Sequence, residues 1–231
     1  MTMGARLLRT EEIVGTDLGR PAAYWNAATV LRPLDPQAWA SVLDRLETFV
    51  AGAEGATPRP YDLWSPFPTP DLRVRGWRLS GHVPLMWRPP VAATPARPAG
   101  LRVERVRDAA GLRDWATTAV EAFPLDGAPD TVATDAFLDH PGLRLFVGYA
   151  GDRPVAVSST LVTHGVNTVP LVAVRPEVRG LGYGETVTWA ATLVRPELPA
   201  ALLASDAGRP VYERMGYLPL VRWPMWILDV T

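Results

Sequence analysis

Between Val169 and Trp189 the chain reads VPLVAVRPEVRGLGYGETVTW, and no other stretch limits its architecture as much. The residues Val169 to Val174 are apolar and rich in valine, as a buried strand requires. Arg175-Pro176 ends that strand, because proline fixes φ and gives up a ladder donor. Gly180, Gly182 and Gly184 follow in close succession, and Glu185 to Val194 holds neither glycine nor proline and reads as a helix. A strand, a glycine loop and a helix in this order aim several backbone N–H groups into one concavity at the positive end of a helix dipole. That is a cradle for phosphate. Arg179 adds a cation beside it. A plain tight turn before a helix uses the same glycines. A dinucleotide-binding loop needs G-x-G-x-x-G within repeated βαβ units and a later acidic residue, and neither is present.

The rest of the composition narrows the chemistry. Net charge is −1, so nothing sequence-wide draws the chain to nucleic acid or an anionic membrane. The absence of cysteine removes disulfides, thiolate metal ligands and a cysteine nucleophile together. His82, His140 and His164 are far apart and in no metal-ligand spacing, so no metal is expected. No apolar leader and no run of about 18 apolar residues is seen, which leads us to expect a soluble, cytoplasmic protein.

Along the chain, a short helix around Ala5 to Glu12 and a frayed terminus are equally open readings of the start. Tyr24 to Leu31 favours a strand. Asp35 caps a helix whose Trp39, Val42, Leu43, Leu46, Phe49 and Val50 share one face, and Gly52 and Gly55 close it. Tyr61 to Trp64 and Trp77 to Trp87 read as strands, and PPVAATPARPAG (Pro89 to Gly100) as a stiff linker. We therefore place one domain at 1–92, the linker at 93–100 and a second domain at 101–231. The second begins with a strand, Leu101 to Val106, and a helix capped by Asp108 that runs to about Ala122. A second helix at Thr131 to Asp139 follows, then strands at Leu143 to Ala150 and Pro154 to Thr163 around Gly151-Asp152 with Arg153 in the loop. After the central strand and its helix come a strand at Ala201 to Ser205, a helix, and two closing strands.

Downstream of the glycine loop stands Tyr212-Glu213-Arg214-Met215-Gly216-Tyr217. With R-x-x-G-x-G at Arg179 to Gly184, this resembles the two signatures of the GCN5-related N-acetyltransferases, and the element order from Leu101 to about Val230 resembles theirs too. The resemblance implies an α/β fold with a mixed sheet, acetyl-CoA as cosubstrate and no metal. It implies that the central strand and the strand after the glycine helix splay apart around the pantetheine. By position, Val172, Ala173 and Val174 would meet the pantetheine and acetyl group, and Arg179, Gly180, Leu181, Gly182, Tyr183 and Gly184 the pyrophosphate. Tyr212 would be the general acid that protonates the departing thiolate. Where many members carry an asparagine, this chain has Ser205 and Asp206, either of which could hold the pantetheine. The glutamate that some members place early in that strand is missing, since Ala200 to Leu203 are apolar. Glu121 is then the first candidate for general base, with a solvated helix-end carboxylate as the plainer reading; His164 and a water chain are the alternatives.

Sliding the sequence on itself by 140 residues sets Leu63, Ser65, Pro70, Gly76 and Pro84 on Leu203, Ser205, Pro210, Gly216 and Pro224, with Trp77 over Tyr217. This suggests an internal repeat whose first copy is a degenerate acetyltransferase half. Leu34 to Trp39 replaces the glycine loop and Leu72 stands at the tyrosine position. Trp25, Trp39, Trp64, Trp77 and Trp87 are expected in cores or at a domain interface. The leading expectation is an acetyltransferase acting on a primary amine of a small molecule or peptide, as a monomer or homodimer, without nucleic-acid or membrane partners. The rival is a CoA-binding, non-catalytic module. The acceptor itself is not written in any charge run.

Overall fold

Residues 6–20, 23–52, 59–90, 92, 95, 100–123 and 128–229 are described by the computed structural model. The chain opens with an antiparallel pair, β1 (Arg6–Arg9) and β2 (Ile13–Asp17), where the helical option had been open. Alternation decides it: Ile13, Gly15 and Asp17 are buried and their neighbours are not, the period of a strand. β3 (Asn26–Val30) pairs with β2. α1 (Pro36–Ala51) follows, its first turn capped by Asp35, whose Oδ1 accepts from the Ala38 N–H at 2.8 Å. Gly52 closes the helix through its N–H to the Phe49 carbonyl, and Gly55 lies outside the described residues. β4 (Tyr61–Trp64) runs parallel to β3, and β5 (Trp77–Arg88) ends this half.

The second half begins with β6 (Leu101–Arg105) and α2 (Ala109–Ala122), capped by Asp108 as expected. The single helix expected at Thr131 to Asp139 is two short ones, α3 (Pro129–Val132) and α4 (Ala136–Asp139). β7 (Leu143–Ala150) and β8 (Arg153–Thr163) form a hairpin in which Arg153 pairs with Ala150, so Gly151-Asp152 alone makes the turn. The central strand is broken into β9 (Val166–Thr168) and β10 (Val172–Val174). α5 (Tyr183–Thr192), β11 (Ala200–Leu203), α6 (Arg209–Arg214) and β12 (Leu218–Leu228) complete the chain. The two closing strands expected from the sequence are therefore one long strand.

Contacts gather the chain into two units, Met1–Val83 with Val221–Thr231, and Pro84–Leu220. The division differs from a boundary at 93–100, and strand pairing is the reason. In the second unit Leu85 to Arg88 of β5 pair antiparallel with Leu203 to Ala200 of β11. In the first unit Met225 to Leu228 of β12 pair antiparallel with Trp64 to Tyr61 of β4. Each unit's sheet thus contains a strand drawn from the other half of the sequence. The junctions match: the Ser65 N–H donates to the Pro224 carbonyl and the Ala204 N–H to the Pro84 carbonyl. Pro84 and Pro224 correspond as the sequence comparison placed them, but Trp64 rather than Leu63 corresponds to Leu203, a slip of one residue in that alignment.

The first unit's core contains Ile13, Val30, Trp39, Leu46, Tyr61, Leu63, Trp77 and Trp226. Trp39 and Trp77 are buried as expected, while Trp25, Trp64 and Trp87 are half-buried. In the second unit, Met86, Val169, Trp189, Leu202, Met215 and Tyr217 form a cluster under α5 and α6.

Candidate functional site

The site begins where β9 leaves β11. Asn167 and Thr168 pair with Ala200 and Ala201, the Val169 N–H donates to the Ala201 carbonyl at 2.8 Å, and Pro170 then has no donor to offer. Beyond that point β10 keeps β8 as its strand neighbour. The Ser159 N–H donates to the Leu171 carbonyl and the Arg175 N–H to the Val155 carbonyl, so residues 171, 173 and 175 turn their backbone groups toward β8. Alternation then aims those of Val172 and Val174 at the opposite edge, where among the described residues no strand pairs with β10. Of the three residues expected at the pantetheine, Val172 and Val174 can offer backbone groups, and Ala173 can offer only its side-chain face.

After a 3-10 turn at Pro176–Val178 the loop reaches Gly180, with φ +81°, and Gly182, with φ +79°. Left-handed backbone at both explains glycine there. A Cβ at either would meet nothing within 4 Å, so the loop's face is open. Gly182 is the N-cap of α5 and no side chain caps it; the Thr186 N–H is the one that returns to the Gly182 carbonyl. The first-turn amides of Tyr183, Gly184 and Glu185 precede any intrahelical partner. A Cβ on Gly184 would stand 3.2 Å from the Val174 side chain, so its lack lets α5 sit close on β10.

Arg179 is exposed and bonded at both ends of the loop's entry. Its Nε donates to the Val174 carbonyl at 3.0 Å and its Nη2 to the Ala122 carbonyl at 3.1 Å, tying the loop to the end of α2. Arg175 makes a second tie there, through an ion pair with Glu121 and an Nε bond to the Pro154 carbonyl. Glu121, the candidate base, is thus held by a guanidinium. At the far end of α5, buried Asn167 donates to the Ala191 and Thr192 carbonyls and accepts from the Thr160 hydroxyl. The sequence reading missed this residue, although an asparagine inside an apolar strand is a usable signal.

The tyrosine signature has a physical explanation in its helix end. The Tyr217 N–H bonds the Tyr212 carbonyl and the Gly216 N–H bonds the Glu213 carbonyl, with Gly216 left-handed at φ +85°. These are the two bonds of a Schellman motif, and its usual hydrophobic contact is the edge-on packing of Tyr212 against Tyr217 at 6.1 Å. The Tyr217 hydroxyl shares a 2.7 Å bond with Thr192 Oγ1. Tyr212 and Val172 each pack on the cluster that holds Met86, Trp189 and Tyr217. Burial pushes the Tyr212 hydroxyl up to about 12, which keeps it protonated.

Ser205 and Asp206 lie exposed in the turn after β11, where Ser205 Oγ accepts from the Gly208 N–H at 3.0 Å. His164 sits in a left-handed turn, its ring bonded to Thr163. Arg88, which the sequence reading passed over, is buried with its Nε donating to the Met215 carbonyl at 2.9 Å and its guanidinium over the Trp189 ring. A cavity of about 480 Å³ at the start of α2, lined by Arg105, Asp108, Asp114 and Tyr149 among others, shares no residue with the loop or with Tyr212. Among the described residues no group of side chains could hold a metal, and no helix is long and apolar enough to cross a membrane.

No protein-family model matches the sequence, and no curated protein matches it. Solved structures do. A GCN5-related N-acetyltransferase from Kribbella flavida superposes with a TM-score of 0.70 at 19% identity, over 96% of this chain and 88% of that one. The chain has the GCN5-related acetyltransferase fold. A second such protein, from Sphaerobacter thermophilus, gives 0.64 at 16% identity over 94% and 80%. A tandem acetyltransferase-fold protein of the clavulanic acid biosynthesis pathway gives 0.55 at 16% identity over 96% and 81%. The mixed α/β fold expected from the two signatures is thus present, including the splay of its central strands.

Proposed function

We propose that the protein is an acyltransferase that passes the acetyl group of acetyl-CoA to a primary amine of a small molecule or peptide. The observation that carries this reading is the opening itself: among the described residues no strand covers one edge of β10, an uncapped glycine loop follows it, and a protonated tyrosine packs on the same cluster as Val172. Acetyl-CoA would supply an activated thioester. The Gly180 to Gly184 amides suit its pyrophosphate, since Gly180 and Gly182 leave the approach clear. The outward N–H groups of Val172 and Val174 suit the pantetheine amides, and the Val174 N–H suits the thioester oxygen as charge develops on it. The amine attacks the carbonyl carbon and loses a proton to water, the carbon–sulfur bond breaks, and the Tyr212 hydroxyl gives its proton to the sulfur and regains one from solvent. Arg179 and Arg175 tie the loop to the end of α2.

The first unit is, in this reading, a degenerate copy of the same fold. The matched junctions, the left-handed Gly76 and Gly216, and the buried Trp77 and Tyr217 that follow them support a duplication. One observation favours the rival, a CoA-binding module without turnover: Glu121 is held in an ion pair, which leaves the base to water or to the acceptor. The deciding experiment follows free thiol release from acetyl-CoA over a panel of amines, with CoA affinity measured by calorimetry. Thiol release supports the transferase; affinity without release supports the module, and neither removes both.

A further inference from the structure

We infer that Arg88 is the positioning residue that sets the Tyr212 helix for proton delivery, an inference that rests on the acyl-transfer reading. Arg88 is the last residue of β5, opposite Ala200, and is 6% exposed. Its Nε takes the carbonyl of Met215, the C-cap of α6, and its guanidinium lies 5.0 Å from the Trp189 ring centre. α6 has six residues and could not hold its own end in place by helix propagation. Tyr217 and Gly216 bond the Tyr212 and Glu213 carbonyls, and Arg88 adds the Met215 carbonyl, so three bonds fix the turn that carries the tyrosine.

Burying a guanidinium is costly, and an aliphatic side chain would fill the same space without that cost. The other unit shows this alternative. The strand paired with β4 has Leu228 opposite Tyr61, the register counterpart of Arg88 opposite Ala200. In that unit the residue at the tyrosine position is Leu72. Arginine accompanies the tyrosine, and leucine accompanies leucine, so the arginine follows the chemistry and not the sheet.

The test is a double-mutant cycle in the full-length chain with Arg88→Met, Tyr212→Phe and both, plus Arg88→Lys. Single-turnover thiol release is read at saturating acetyl-CoA, and acetyl-CoA affinity by calorimetry. Arg88→Met is expected to slow the chemical step about 10-fold, in line with the cost of a misplaced catalytic group, and to leave affinity within about twofold. It should cost nothing further once Tyr212 is phenylalanine, and Arg88→Lys should recover part of the rate by donating to the Met215 carbonyl. Effects that multiply in the double variant, or a loss of affinity at an unchanged single-turnover rate, would overturn the inference and leave the transferase reading standing. A wild-type chain with no thiol release overturns both. Should Arg88→Met not unfold as wild type does on heating, Arg88→Lys and Arg88→Gln take its place in the same cycle.

Discussion

In the first unit β3 stays beside β4 from Ala27↔Asp62 to Thr29↔Trp64, whereas in the second β9 leaves β11 after Thr168↔Ala201. The sequence difference is small: Pro170 stands inside the second strand and no proline interrupts Asn26 to Val30. What comes next differs as sharply. Asp35 caps α1 with its own carboxylate, occupying an amide that α5 leaves open at Gly182. A closed sheet with a self-satisfied helix start has no place for an anion, and an opened sheet with an uncapped one has both the slot and the donors. On the function proposed above, the second unit opens its site by withholding bonds that the first unit makes.

The most severe way to break the contrast is to give the second unit the first unit's cap. Gly182→Asp keeps a residue type that tolerates left-handed backbone, yet sets a carboxylate against the pyrophosphate; acetyl-CoA affinity by calorimetry should fall at least about 100-fold. Next in size is Tyr212→Phe, which should slow single turnover roughly 10-fold to 1,000-fold with affinity preserved. Because burial pushes the Tyr212 hydroxyl up to about 12, the wild-type rate should show no tyrosine-linked fall at pH 10, where an unburied tyrosine would already be half ionised.

A smaller effect sharpens the contrast from the closed side. Asp62 is buried where the second unit has Ala201, its Oδ1 has no hydrogen-bond partner among the described residues, and burial pushes its carboxyl up from 3.8 to about 7. Across that window the folded chain keeps a proton the unfolded chain releases, so stability falls as pH rises. Asp62→Asn should lack this fall, and its Tm advantage over wild type should grow between pH 4 and pH 8. Least of all, Asp35→Gly should leave the stoichiometry at one acetyl-CoA per chain, since opening the cap of α1 does not separate β3 from β4. Two sites by calorimetry would mean that the cap and not the strand closes the first unit.

Local features were legible in the sequence: both helix caps at Asp35 and Asp108, the glycine loop, Tyr61–Trp64, and a tyrosine signature whose spacing is that of a Schellman turn. What escaped depends on partners distant along the chain. β5 pairs with β11 across more than a hundred residues, so neither the single long β12 nor the bond from Arg88 to Met215 leaves a local pattern. The break between β9 and β10 sits in a run of apolar residues that reads as one strand, because a residue's burial does not reveal which edge its N–H faces. The two bonds of Arg179 escaped for a related reason: its charge is evident in the sequence, but the Val174 and Ala122 carbonyls that its N–H groups reach are not.

The exchange of strands has a consequence for how the chain is made. A ribosome delivers Arg6 to Trp77 before the strand that covers the β4 edge, Met225 to Leu228, which follows the other described strands in the sequence. Until then the first unit carries an open β edge of the kind that recruits other chains. The second unit, Pro84–Leu220, has every strand it needs before β12 is finished. The half that comes first in sequence is thus the half that must wait for a strand made later to close its edge.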